Sequence, residues 1–145
     1  LAWQVQDVLT AIAYLTESAG FNEVRLAGLG EAGIPTLLAR ALEPTGKVSL
    51  TIADLAGVNS EDERTWTGER EQAGMLRFGG LRTAAILAAP GELVLCNTSA
   101  HFDAAIIRTA YRAAGRTSAL EISESPWTMD MVINKLRNSQ HLGAR

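Results

Sequence analysis

With 145 residues, 47% of them hydrophobic and 20% charged, the chain has the make-up of one globular domain, long enough to bury roughly two-thirds of the surface its unfolded form exposes. No apolar run approaches the roughly 20 residues that a bilayer-crossing helix needs, and a formal net charge of −3 gives no electrostatic reason to expect nucleic acid or an anionic membrane as a partner. A single cysteine, Cys96, excludes an internal disulfide and leaves the redox compartment open, while two histidines, His101 and His141, are too few for a His-rich metal site.

Leu1 is not an initiator Met, and Trp3, Gln4, Gln6 and Asp7 interrupt any signal-peptide core, so the chain reads as cut from something longer. Val5, Val8, Leu9, Ile12, Ala13 and Leu15 recur at intervals of three and four, which predicts an amphipathic helix over Trp3 to Ser18, closed near Gly20. Phe21 and Asn22 turn the chain into a first strand, Val24 to Ala27. A glycine-punctuated turn follows, and then a helix to about Leu42 with Pro35 early, where a missing N–H costs little. Glu43-Pro44-Thr45-Gly46 reads as a turn, and Val48 to Ala53 as a second strand with Asp54 at its carboxyl end.

The polar stretch Ser60 to Glu71 has neither helical nor strand periodicity and reads as an exposed excursion anchored by Trp66. Apolar character resumes over Gly74 to Leu81, and Thr83 to Ala89 reads as a short helix ended by Pro90-Gly91. Glu92 to Cys96 is a third strand. A polar loop, Asn97 to Asp103, leads into a helix over Ala104 to Ala114 closed by Gly115. Ser118 to Ile122 is the fourth strand, and Trp127 to Arg137 the closing helix, with Trp127, Met131, Ile133 and Leu136 turned inward. The tail from Asn138 is expected to be loose.

Strands alternating with helices specify an α/β fold, a three-layer α-β-α arrangement with a small, mainly parallel sheet and right-handed crossovers. Ligands of such sheets sit beyond the carboxyl ends of the strands, a rim that here gathers Gly28 to Gly33, Asp54 to Asn59, Asn97 to Asp103 and Ser123 to Pro126.

Gly28, Gly30 and Gly33 fit two site types. One is a phosphate cradle, in which the N–H groups at the helix start hold an anion and Asp54, 21 residues past Gly33, takes the ribose-binding place of a dinucleotide site. NAD or S-adenosylmethionine would be the cofactor, although Glu31 places a negative charge at that very turn. The other is the nucleophile elbow of a hydrolase. Both compete with a purely structural turn, and Asp54 with a turn-capping role. His101 beside Asp103 invites an acid/base assignment, set against loop solvation for the histidine and helix capping for the aspartate. Cys96 reads as a core residue, and Trp3, Trp66 and Trp127 as core or interface anchors rather than sugar-stacking platforms.

The segments VRLAGLGEAG, ADLAGVNSEDE, GMLRFGGL and LAAPGELVLCNTSAHFDAAIIRTAYRAAG resemble, over nearly the whole chain, the second half of acetyl xylan esterase-like α/β-hydrolases. The likeness is particularly to degenerate members found in multidomain bacterial proteins. The resemblance implies that the first strand is the nucleophile strand and that the earlier strands lie upstream of Leu1. It also implies a Ser where Gly30 stands, an acid after the third strand, for which Asp103 is the nearest candidate, and a His after the fourth, where Ser123-Glu124-Ser125-Pro126-Trp127 has none.

The expectation is therefore a hydrolase-like module without a working triad and without a cofactor, serving assembly, structural stability or recognition beside a catalytic partner domain. Two alternatives stay open: a Rossmann-like nucleotide-binding domain, and a carbohydrate esterase whose triad is completed elsewhere. The resemblance also implies that Val24 to Ala27 lacks a neighbour on one side, to be covered by the missing half or by another chain, including a second copy.

Overall fold

The computed structural model describes residues 1–43, 45–58, 62–66 and 75–139. Four strands, β1 (Val24–Gly28), β2 (Val48–Asp54), β3 (Glu92–Cys96) and β4 (Leu120–Ile122), form one all-parallel sheet in the order β1-β2-β3-β4. The fold is α/β, with helices packed on that sheet. Each strand lies beside its predecessor, so every crossover steps in the same direction, and right-handed crossovers then place the connecting helices on one face. These are α2 (Gly33–Leu42), α3 (Gly80–Leu87) and α4 (Ala105–Ala113).

Strand alternation divides the core accordingly. Ala53, Leu93 and Leu95 face the crossover helices, meeting Ile34 and Leu37 of α2, Leu81, Ala84 and Ala85 of α3, and Ile107 and Tyr111 of α4. Leu50, Ile52 and Val94 face the other way, where α5 (Met129–Asn138) lies over them with Val132, Leu136 and, just before the helix, Trp127. Covering each of those strand side chains is worth roughly 2 kcal/mol. Only Val132 of α5 is itself buried, so this layer is thinner than the opposite one. The central strand β2, paired on both edges, reads as a near-continuous buried run, as parallel strands do.

The first helix, α1 (Ala2–Ala13), continues through a π-helical turn, Tyr14–Ser18, and packs Ile12, with Val8 and Leu15, against Val24, Val48 and Leu26 at the β1 side of the sheet. Among the described residues β1 pairs only with β2 and forms one edge of the sheet, and β4 forms the other.

Several boundaries differ from the sequence expectation for local physical reasons. Helix α3 starts at Gly80 rather than Thr83, because Gly79 and Gly80, at φ +81° and +58°, turn the chain into the helix instead of interrupting it. β4 begins at Leu120, since residues 117–119 take a 3₁₀ turn. In α5 the inward stripe is Val132 and Leu136; Met131 and Ile133, expected inside, are 45% and 37% exposed. At the end of the described residues the Ser139 hydroxyl donates to Glu92 at 2.7 Å. Trp66 is buried among the crossover-helix core, at the end of a short 3₁₀ turn, Glu63–Trp66, in the excursion expected to lack helical character. Trp3 is 84% exposed and no core anchor. Pro44, most of the 60–71 excursion, Gly74 and the tail beyond residue 139 lie outside the described residues.

Candidate functional site

The glycine turn is shaped by two kinds of constraint. Gly28 and Gly33 are required by packing. A Cβ on Gly28 would overlap the Thr36 hydroxyl and the Ala32 carbonyl oxygen, and one on Gly33 would overlap the Asp54 carbonyl oxygen and stand 2.6 Å from its carbonyl carbon. Helix α2 can start this close to the end of β2 only because no side chain intervenes. Gly30 is different: its φ is +56°, and nothing lies within 4 Å of where its Cβ would be. Leu29 is extended at φ −112°, ψ 144°, and residues Gly30–Ala32 form a 3₁₀ turn leading into α2. The apex is thus a left-handed, open position carrying no side chain, and Glu31 beside it is exposed.

Around it the carboxyl-end rim is laced together. Asp54, only 7% exposed, accepts hydrogen bonds at Oδ1 from the Ala56 amide at 2.7 Å and from Asn97 Nδ2 at 2.8 Å. Ala56 and Asn97 both stand at φ +52°, a conformation that asparagine tolerates and alanine adopts only under such constraint. The Asn97 carbonyl accepts from Gly57 N–H at 2.7 Å, and its own amide donates to Ser125 O at 3.0 Å. Thr98 reaches Ser123 O through both its amide and its hydroxyl, at 3.3 Å each. The structure therefore joins the loops after β2, β3 and β4, with Gly33 pressed on Asp54 bringing in the turn after β1.

The remaining candidates stand apart from this clasp. His101 is exposed, its amide donating to Ser99 Oγ at 3.3 Å. Asp103 accepts from the Ala105 amide at 2.9 Å at the start of α4 and lies 3.6 Å from the Arg82 guanidinium. No hydrogen bond joins His101 to Asp103 among the described residues, and the position of Asp103 is that of a helix-start acceptor. The Cys96 thiol is fully buried, and burial, with a smaller contribution from Asp54, pushes its pKa up, opposite to what a reactive thiolate needs.

Nothing local in the sequence marks Asn97 as the partner of Asp54. The available signal was an Asn directly after a strand, a residue type suited to positive φ. Two clefts of about 420 and 390 Å³ open elsewhere, one between α1 and the end of α2 and one by Arg40, Arg116 and Glu92 at the amino ends of the strands; neither touches the glycine turn. No three His, Cys, Asp or Glu side chains gather for a metal ion among the described residues.

Compared with protein-family models, with curated proteins and with solved structures, the chain finds no match. What its architecture shows is an α/β domain built on a four-stranded parallel sheet.

Proposed function

We propose that the chain is an α/β-hydrolase-like module of the acetyl xylan esterase type that lacks a nucleophile and acts in assembly or recognition rather than ester cleavage. Gly30 carries this reading. It occupies the apex of a sharp strand-to-helix turn, at the left-handed φ and with the open space that a nucleophile elbow gives its serine, and it offers no hydroxyl. The consecutive parallel strands after that turn support the same reading, as does the close approach of Gly28 and Gly33 to their neighbours. Asp103 is committed to the start of α4, and residues 123–127 supply no histidine.

A nucleotide role draws less support, because Asp54 spends Oδ1 on Ala56 and Asn97, and Glu31 adds negative charge where a phosphate would sit. The surface through which we expect the module to associate is the edge of β1 that no strand pairs among the described residues. Incubating the purified chain with an aryl acetate tests the reading: hydrolysis no faster than the buffer is expected, and turnover that survives repurification and saturates with substrate would overturn it.

A further inference from the structure

The backbone of β1 has a side that nothing in the sheet uses. Val24 donates its amide inward, to Lys47 O at 2.9 Å, so alternation along the strand turns the N–H and C=O groups of Arg25 and Ala27 toward the edge left unpaired among the described residues, and continuing the strand by one residue would add those of Glu23. Edge strands of this kind pair with other strands unless charge, proline or a cover prevents it. Here the charges are of alternating sign. Glu23 and Arg25 sit two residues apart and ion-pair at 3.1 Å on one face, and Arg25 Nε is buried with no acceptor.

Resting on the reading that this edge is the association surface, we infer that β1 pairs antiparallel with β1 of a second copy about a twofold axis at Val24, each Glu23 opposite the other copy's Arg25. Charge complementarity selects both the occupant and the register. In this register residues 23 and 25 form two pairs that exchange both backbone hydrogen bonds, four in all. Each Arg25 gains a second carboxylate on the same face. Moving the axis by one residue sets Arg25 against Arg25, a like-charge pair that is destabilising. Moving it by two sets Arg25 against Ala27 and forgoes the ion pairs. The sequence Glu23-Val24-Arg25 is thus complementary to its own reverse, as an isologous twofold contact requires.

The experiment is a charge-swap complementation read by sedimentation or native mass spectrometry. The natural chain is expected at twice its 15.5 kDa mass. E23R and R25E, each folded by circular dichroism, are expected at the monomer mass, since each homodimer would then face like charges. An equimolar mixture of the two is expected to recover the doubled mass as a heterodimer, because the arginine introduced in one variant then meets the glutamate introduced in the other. R25E also loses the Arg25 Nη1 bond to Leu136 O, 2.7 Å long; E23R leaves that bond in place and keeps the test valid if R25E misfolds. A monomeric natural chain, E23R that remains a dimer, or a mixture of folded variants that stays monomeric would each overturn the inference. Each of these would leave the absence of ester hydrolysis, measured separately, unaffected.

Discussion

Gly33→Ala should be far more damaging than Gly30→Ala, although Gly30 is the glycine at the apex. The added methyl at Gly33 would stand 2.6 and 2.7 Å from the Asp54 carbonyl carbon and amide nitrogen and would overlap its carbonyl oxygen. Backbone bounds both sides, so the start of α2 or the end of β2 must shift bodily, and overpacking of this kind costs about 3 kcal/mol. At Gly30 a methyl meets nothing within 4 Å, and the cost is that of holding alanine at positive φ, about 1 kcal/mol. In thermal unfolding this becomes a loss of roughly 6–12 °C for Gly33→Ala against roughly 2–4 °C for Gly30→Ala. Urea titrations followed by far-ultraviolet circular dichroism would give the two free energies directly. If Gly30→Ala proved as costly as Gly33→Ala, the division of the turn into packing glycines and an open apex would be refuted.

Three further outcomes follow from the packing. Thr128 Oγ1 accepts from the Met131 amide at 3.3 Å at the start of α5, so Thr128→Ala should weaken that helix by about 1 kcal/mol. Hydrogen exchange should speed up in α5 more than in β2 or β3, and uniform acceleration would contradict this. Burial works to raise the pKa of Glu92, but hydrogen bonds from Ser139 and Lys135 and the Lys135 charge outweigh it and hold the carboxyl below its ordinary value. Its stabilising contribution is therefore present above the unfolded pKa of about 4.3 and is lost as pH falls through the lower folded value; Glu92→Gln should flatten the acid limb of the urea midpoint against pH, and an unchanged limb would count against it. Burial pushes the phenol of Tyr111 up to about 12, with Arg40 and Arg116 pulling the other way, and its hydroxyl donates to Gly91 O at 3.0 Å. Tyr111→Phe should cost about 1–3 kcal/mol by leaving that carbonyl unpaired and should abolish the late step in an alkaline absorbance titration.

The parts of the fold legible in the sequence are those written in local chemistry. β3 runs Glu92–Cys96 as expected, because ELVLC is bounded by Pro90-Gly91 on one side and by a polar loop on the other. The end of α4 near Gly115, at φ +68°, was likewise signalled by a residue type that suits it. Helix α5 shows the limit: Met131, Ile133 and Leu136 formed as good an apolar list as Val132 and Leu136, and only the strip of Leu50, Ile52 and Val94 beneath decides which stripe turns inward. The rim is similar. Asp54 was visible as a strand-end acid, but its partner Asn97 lies 43 residues away, and long-range pairing leaves no local trace. Arg25 reaches across 111 residues to Leu136, so the character of the β1 edge appears only once the sheet is assembled.

The proposed function stands on an apex, Gly30, that holds no nucleophile. Intact-mass spectrometry of the purified chain after exposure to an activated organophosphonate is the sharpest test, since such a reagent marks an activated serine independently of turnover. An unmodified mass is predicted. A single stoichiometric adduct on a serine of the rim, such as Ser99 or Ser123, lost on His101→Ala, would contradict it.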